Sequence, residues 1–418
     1  MRGLVRRHRD FRLLWIGETT SRLGSSVTTV VVPLVAVSTL HASTFAVSAL
    51  TAAAWLPWLL IGLAAGPIVD RLKRRRLMIV CDLLAAALFA SIPLAAVLGL
   101  LTTGQLLVVA FVAGCVSVMF TTAYGVFLID VVTDPADRAA GNSTLQGGAS
   151  AAQIGGPGLG GLLAQVLGAA TALLADGFSF LVSAVCLAGI RAPDALHVPP
   201  ASQRSRGSLR RDVAEGIRFL SHDPLLRPLV LFGGTANLAL IGYQAILVVF
   251  LVRTVGLDAG TIGVLLALVS CGGLIGAMAG NPFARRLGSG RALLLTKVGA
   301  CPFALLIPFT APGPRLAFLV VGGLGVGIGI VAGNVISSGF VQAYTPTELY
   351  ARTSATTNVF NYGTMPLGAL LGGLVATMLG LSDALWIMTG LLPISAMILV
   401  ASPFRRLRSL PMAPCAEG

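Results

Sequence analysis

Apolar runs of about twenty residues follow one another along the chain, separated by short polar connections. A run of that length crosses the hydrocarbon core of a bilayer as an α-helix. Cutting at charges, Pro and Gly predicts twelve spans: 13–38, 46–69, 77–99, 105–129, 141–167, 170–190, 228–252, 260–283, 291–311, 315–340, 353–379 and 383–402. One long polar connection, 191–227, is rich in Pro, Ser and Arg and separates two groups of six. Within it, Leu209, Val213, Ile217 and Leu220 recur at helical spacing after Ser208. That spacing predicts a short amphipathic helix, either lying on the membrane surface or serving as an ordinary linker helix. The predicted organisation is an all-α membrane protein: a six-helix half over 1–190, a linker over 191–227, and a six-helix half with a tail over 228–418.

Composition supports this class. The chain has 418 residues, a mean hydropathy of +0.88, 56% hydrophobic residues and 11% charged ones. A soluble fold cannot hide that much apolar surface and keep a polar exterior. The net charge of +13 does not point to nucleic acid, because the cations cluster in connections between apolar runs. With the N-terminus inside, 26 of the 29 Lys and Arg fall on cytoplasmic segments, counting Lys297 with the connection before the ninth span. The positive-inside rule then places both termini in the cytoplasm of a multi-pass cytoplasmic-membrane protein. The basic and then apolar start, "MRGLVRRHRDFRLLWIGETTSRLG", reads as a first span rather than a cleaved leader. The six Cys show no metal spacing and read as small packing residues, so no metal, cofactor or disulfide framework is expected.

The two groups of six resemble each other. "LGGLLAQVLG" (Leu159 to Gly168) matches "LGGLVATMLG" (Leu371 to Gly380) in seven of ten positions. Pro135, Asp137 and Ala140 share their spacing with Pro346, Glu348 and Ala351. Arg71, Leu72 and Arg76 of "GPIVDRLKRRR" find Arg286, Leu287 and Arg291 of "GNPFARRLGSGR". An even number of spans per copy makes the repeats parallel, and two parallel six-helix halves around a central cavity form a transporter architecture.

These residues are similar to those of the major facilitator superfamily over nearly the whole chain. Gly66, Asp70, Arg71, Arg74 and Arg75 match its signature between the second and third spans, G-x-x-x-D-[RK]-x-G-[RK]-[RK], with Lys73 in place of the second glycine. Gly156, Pro157, Gly160 and Gly161 match the end of the antiporter motif, G-P-x-x-G-G, whose upstream glycine is Ala152 here. The phrases "FRLLWIGETTSRLGSSVTTVVVPLVAV", "ADGFSFLVSA" and "EGIRFLSHDPLLR" resemble the enterobactin-exporter and macrolide-efflux branch. The fourth span has no Arg, where many drug/proton antiporters of the superfamily carry one, so their coupling scheme does not carry over directly.

The candidate residues follow. Asp70 ends the second span, where it can meet the positive end of another helix. The resemblance implies that this is the eleventh, near Thr353, in a latch that breaks when the cytoplasmic face opens. Arg71, Arg74 and Arg75 belong to the same gating hairpin, and its cations also anchor it to anionic lipid headgroups. Gly156, Pro157, Gly160 and Gly161 give either bending freedom for gating or plain close packing. Glu18, Arg22 and Asp176 are read as the ionisable groups within the hydrocarbon. Glu18 and Arg22, four apart on one face, form either a proton-exchange pair or a static ion pair. Asp176 is either a coupling group or an interfacial one. Gln146 and Gln153 in the fifth span, Tyr124 in the fourth, Asn237, Tyr243 and Gln244 in the seventh, Asn334 in the tenth, and Asn358 and Asn361 in the eleventh are candidate substrate contacts. Each amide alternatively bridges helices, at about 0.6 kcal/mol per contact.

A weakly charged cavity of amides, hydroxyls and aromatics suits a large, mostly apolar substrate. The expected function is export of a small amphiphilic molecule, drug-, macrolide- or siderophore-like, by a monomer in exchange for protons. An importer of a sugar or metabolite is the alternative. No HExxH, nucleophile elbow or Walker loop occurs, which argues against an enzyme and against direct ATP drive.

Overall fold

A computed structural model describes residues 7–132, 134–191 and 218–411. Its helices fall on the twelve predicted spans. We label them α1 (Arg9–Leu34, continued by a π turn Val35–Thr39), α2 (Thr44–Leu60 and Gly62–Val69), α3 (Arg74–Val97), α4 (Thr103–Val131), α5 (Pro135–Leu167) and α6 (Ala169–Ala188). The second series is α7 (Leu226–Arg253), α8 (Ala259–Leu287), α9 (Ser289–Ala300, continued by a 3-10 turn Cys301–Phe309), α10 (Leu316–Tyr344), α11 (Thr347–Leu379) and α12 (Leu381–Val400). Ten of these are long and apolar enough to cross a membrane, Thr44–Leu60 is a shorter apolar helix, and α5 is long but more polar. Of the amphipathic linker helix, Leu209, Val213 and Ile217 lie outside the described residues.

Local chemistry sets the helix ends and breaks. Ser43 and Thr102 cap α2 and α4 by accepting from Ala46 N and Gln105 N, each at 3.2 Å. Asp223 accepts from the backbone N–H groups of Leu225 and Leu226, both at 2.8 Å, at the start of α7. Asp258 does the same at α8, taking Thr261 N at 3.0 Å and Thr261 Oγ1 at 2.6 Å. Those donors hold the Asp258 carboxyl below the usual carboxylate range. Pro57 precedes the break of α2 at Ile61, and Pro302 and Pro308 accompany the tightening of α9 into its 3-10 turn. The predicted span 46–69 is therefore two helical pieces.

The chain divides into two compact units, Met1–Arg204 with Leu257–Ala267, and Ser205–Gly256 with Leu268–Gly418. In the first, α1 packs on α5 and α6, α3 on α4 and α6, and α2 on α4. In the second, α7 packs on α11 and α12, and α9 on α10 and α12. There α8 lies so close to α10 that a Cβ on Gly272 would sit 3.0 Å from the Leu324 Cα. Each partnership in the first unit recurs six helices later. The boundaries recur too: both ends of α5 and of α6 reappear 212 residues on in α11 and α12. Gly168 and Gly380, which begin α6 and α12, take φ of 85° and 97°, a conformation that a side chain disfavours.

Small residues bring the helices of each unit together. Gly156 and Gly160 on α5 lie against Ser26 and Val27 of α1, and a Cβ on Gly160 would stand 3.0 Å from the Val27 carbonyl oxygen. The corresponding Gly368 and Gly372 on α11 lie against Leu238 and Gly242 of α7. This is the small-xxx-small packing of membrane helices. Gly161 faces Gly263 inside the first unit, where a Cβ would come 2.6 Å from the Gly263 Cα. Large apolar side chains such as Leu94, Val97, Val166, Phe178, Met278, Met378 and Ile394 are exposed, as lipid contact requires.

One buried cluster fixes the ends of the first unit. Phe11 and Leu14 of α1, Val69 of α2, Met78 of α3, Phe127 of α4, Leu145 of α5, and Leu187 of α6 with the following Ile190 pack together. The start of α1 and the end of α6 thus share one end of the bundle, which requires an even number of crossings.

Candidate functional site: charge inside the helices

The basic hairpin sits beside that cluster, and the structure divides its cations. Arg74, 4% exposed, donates to Asp130 at 3.0 Å and lies 3.7 Å from Asp70. Arg75 donates to the Ile190 carbonyl just beyond α6, where the helix dipole favours a cation. Arg71, Lys73 and Arg76 are exposed. Reading the whole run as a lipid anchor was therefore too broad: its two middle arginines are engaged by protein acceptors. Asp70 and Arg74 are four apart across the turn, and the Asp70 side chain stays 41% exposed.

Within the first unit, α1, α3 and α6 enclose three carboxyls. Glu18 on α1 is 6% exposed and accepts from Arg22 Nε, one turn on, whose side chain is 46% exposed. Asp176 on α6 is wholly buried and accepts from the Thr28 hydroxyl of α1 and from Ser179 Oγ at 3.2 Å. Glycines allow this approach: a Cβ on Gly17 would stand 3.1 Å from the Cys186 Cβ, and Gly24 lies against Asp176 and Ser179. The third carboxyl is Asp82 on α3, 1% exposed. The Ser183 hydroxyl of α6 bonds to it, and among the described residues its Oδ2 has no hydrogen-bond partner.

Asp82 corrects the sequence reading, which named only Glu18, Arg22 and Asp176 as ionisable groups in the hydrocarbon. It lies inside the predicted third span, and its signal was simply one acid in an otherwise apolar run, "IVCDLLAAALFA". Lys297 is a second correction. Counted with a cytoplasmic connection, it is in fact 8% exposed within α9. Its neighbours Leu293, Ala300 and Cys301 are buried with it, so the helix carries the charge inward.

The neutral candidates separate by exposure. On α5, Gln146 and Gln153 are exposed, as is Asn142. Tyr124 on α4 is half-buried and stacks on Phe120, ring centroids 6.3 Å apart. In the second unit, Gln244 is exposed, Asn237 half-buried and Tyr243 only 5% exposed, so Tyr243 is a core residue that reaches Gln244. Asn334 and Asn358 are exposed. Asn334 Oδ1 accepts from Lys297 Nζ at 3.0 Å. Asn361 is half-buried against Gly233 of α7, and among the described residues its Oδ1 has no hydrogen-bond partner. The structure thus gathers Glu18, Arg22 and Asp176 with Asp82 in one unit, and Asn334 with Lys297 in the other.

Comparison with known proteins agrees with this framework. A family described as "Transmembrane secretion effector" matches residues 5–417. A protein named multidrug efflux pump Tap from Mycolicibacterium fortuitum is 29% identical over 411 residues, 96% of this chain and 97% of that one. Its namesake from Mycobacterium tuberculosis (strain ATCC 25618 / H37Rv) is 28% identical over 379 residues, 88% and 87% of the two chains. Among solved structures, the nucleoside transporter NupG superposes with a TM-score of 0.73 at 12% identity, covering 94% of this chain and 98% of that one. A bacterial homologue of the human lysosomal transporter Spinster gives 0.70 at 16% identity, with 96% of each chain covered. At such identities the two structures speak for the fold alone. Twelve helices in two like-built units, the signature hairpin and the family match together place the chain in the transmembrane secretion effector family, among the membrane transporters of the major facilitator superfamily.

Proposed function

We propose that the protein exports small amphiphilic molecules across the cytoplasmic membrane by alternating access, in exchange for protons. The observation that carries the reading is the set of buried carboxyls in the first unit, Glu18, Asp82 and Asp176, with, among the described residues, a single cation, Arg22, beside one of them. Carboxyls in an apolar interior are costly to keep and are retained where charge must be taken up and released. Glu18 holds the exchangeable position, because its partner is half-exposed and free to turn outward when a proton replaces it. The efflux direction and the drug-like cargo rest on the relatives named multidrug efflux pumps and on the scarcity of fixed charge among the exposed amides. In the first unit Gln146, Gln153 and Tyr124 offer polar contacts to cargo. In the second, Asn237, Gln244, Asn334, Asn358 and Asn361 do so.

We place both termini and the 191–227 linker in the cytoplasm, from the distribution of Lys and Arg. Losing Lys297 from that count leaves its sign unchanged. Asp70, Arg74 and Asp130 tie the hairpin to α4, and their pairing is the element that gating would have to remake. Exposed Arg71, Lys73 and Arg76 are left to meet anionic headgroups, and the working unit is a monomer.

Reconstitution in liposomes tests the reading. Dyes, macrolides and siderophores are screened with and without an imposed proton gradient. Gradient-dependent movement of an amphiphile supports it; movement of hydrophilic sugars alone would turn the assignment to import.

A further inference from the structure

The second unit carries a buried cation for which the transport reading has no use. Lys297 lies eight residues past the first residue of α9, about 12 Å along the helix axis at 1.5 Å per residue. Its Nζ donates to Asn334 Oδ1 at 3.0 Å and stands 5.3 Å from the centre of the Phe232 ring of α7. Its methylenes run along Gly333, where a Cβ would come 2.6 Å from Lys297 Cγ. Among the described residues no carboxylate pairs with it. Asp223, a buried acid of this unit, is engaged by Tyr344 Oη at 2.8 Å and by the N-terminal amides of α7.

An ammonium inside an apolar bundle is held cheaply only against an opposite charge. Here its partners are an amide oxygen and an aromatic face. Both orient the cation, and neither cancels its charge. The ammonium has three donors, and the amide takes one of them. Asn334 is exposed, so the approach to Nζ lies over its side chain.

We infer that Lys297, oriented by Asn334 and Phe232, receives an anionic group, a carboxylate, sulfonate or phosphate, carried by an amphiphilic cargo molecule. The inference rests on the efflux reading and narrows its substrate class to amphiphiles with a negative head. Binding brings the missing charge to the ammonium, and release leaves it on Asn334 again. A lipid headgroup has the same chemistry, but the depth of Lys297 within α9 favours a solute.

The test uses two xanthene dyes of opposite charge, fluorescein and rhodamine 6G, with the purified full-length protein in detergent and fluorescence anisotropy as the readout. Wild type is expected to bind fluorescein. Lys297→Gln weakens that by ~10-fold or more and leaves rhodamine 6G within about twofold, as loss of a charge-assisted contact requires. Lys297→Arg keeps fluorescein binding. Asn334→Asp supplies an internal carboxylate while keeping the α9–α10 bridge, and it weakens fluorescein binding by a larger factor than rhodamine 6G binding. Unchanged fluorescein affinity in both neutralising variants, equal loss of the two dyes, or no fluorescein binding to wild type overturns the inference. So does competition by phosphatidylglycerol, which would assign the site to lipid. Because binding is read without transport, inactive liposomes with this dye pattern intact would refute the efflux reading alone.

Discussion

Arg22 and Glu18 share one bond yet live in different surroundings, the base half-exposed and the acid nearly sealed. That asymmetry makes Glu18 the group to remove first. Glu18→Gln keeps the shape and loses the charge, so cargo binding persists while export driven by a pH gradient falls by ~10-fold or more. Dye efflux at imposed gradients checks this, and a variant still driven like wild type would reject the role. Asp82→Asn is expected to leave folding intact, with an unchanged or higher melting temperature in detergent, because it neutralises a buried carboxyl whose Oδ2 has no hydrogen-bond partner among the described residues. If Asp82 shares the coupling task, the same variant also loses gradient drive. The Glu18–Arg22 pair was legible in the sequence because both residues fall on one helical stripe. Asp82 and Lys297 were not, for different reasons. Asp82 has no partner at helical spacing, and its Ser183 contact comes from α6. Lys297 stands six residues after Arg291, close enough to the edge of its span to read as part of the connection, and its Asn334 partner is 37 positions away. Only the packing of α9 against α10 decides that the charge points inward.

At the level of helices, the glycine pairs set what can be changed. Gly160→Val places a branched side chain against the Val27 backbone of α1, and Gly372→Val repeats the clash on α7. Each is expected to cost about 1–3 kcal/mol, the usual penalty for overpacking. Thermal unfolding in detergent reads that loss. Arg74→Gln removes the cation shared by Asp130 and Asp70. Since both acids keep some exposure, the loss is about 1–3 kcal/mol rather than that of a sealed pair. Helix existence was legible almost everywhere, because apolar length alone announces a span. Helix shape was not. The break at Ile61 and the 3-10 turn after Cys301 depend on where prolines fall relative to neighbouring helices, and α5 starts at Pro135, well before its apolar part.

At the scale of the full chain, duplication explains most of what was legible. Matching phrases in the two halves predicted matching helices, and the boundaries of α5 and α6 recur at the offset of the "LGGL" phrases. Orientation is the open test. Reporter fusions within 191–227 and after Leu410 are expected to read cytoplasmic, and one after Val255 external. A cytoplasmic signal at Val255 would invert the topology and with it the assigned direction of transport.

Charge is what the two copies do not share: Glu18, Asp82 and Asp176 settle among the helices of the first, Lys297 among those of the second. A gene doubled in this way is free to specialise. Laboratory selection for resistance to a new cationic toxin should collect its early substitutions around Phe232, Lys297 and Asn334. The carboxyl-bearing helices would be left untouched, so the pump learns a new passenger without relearning how to be powered.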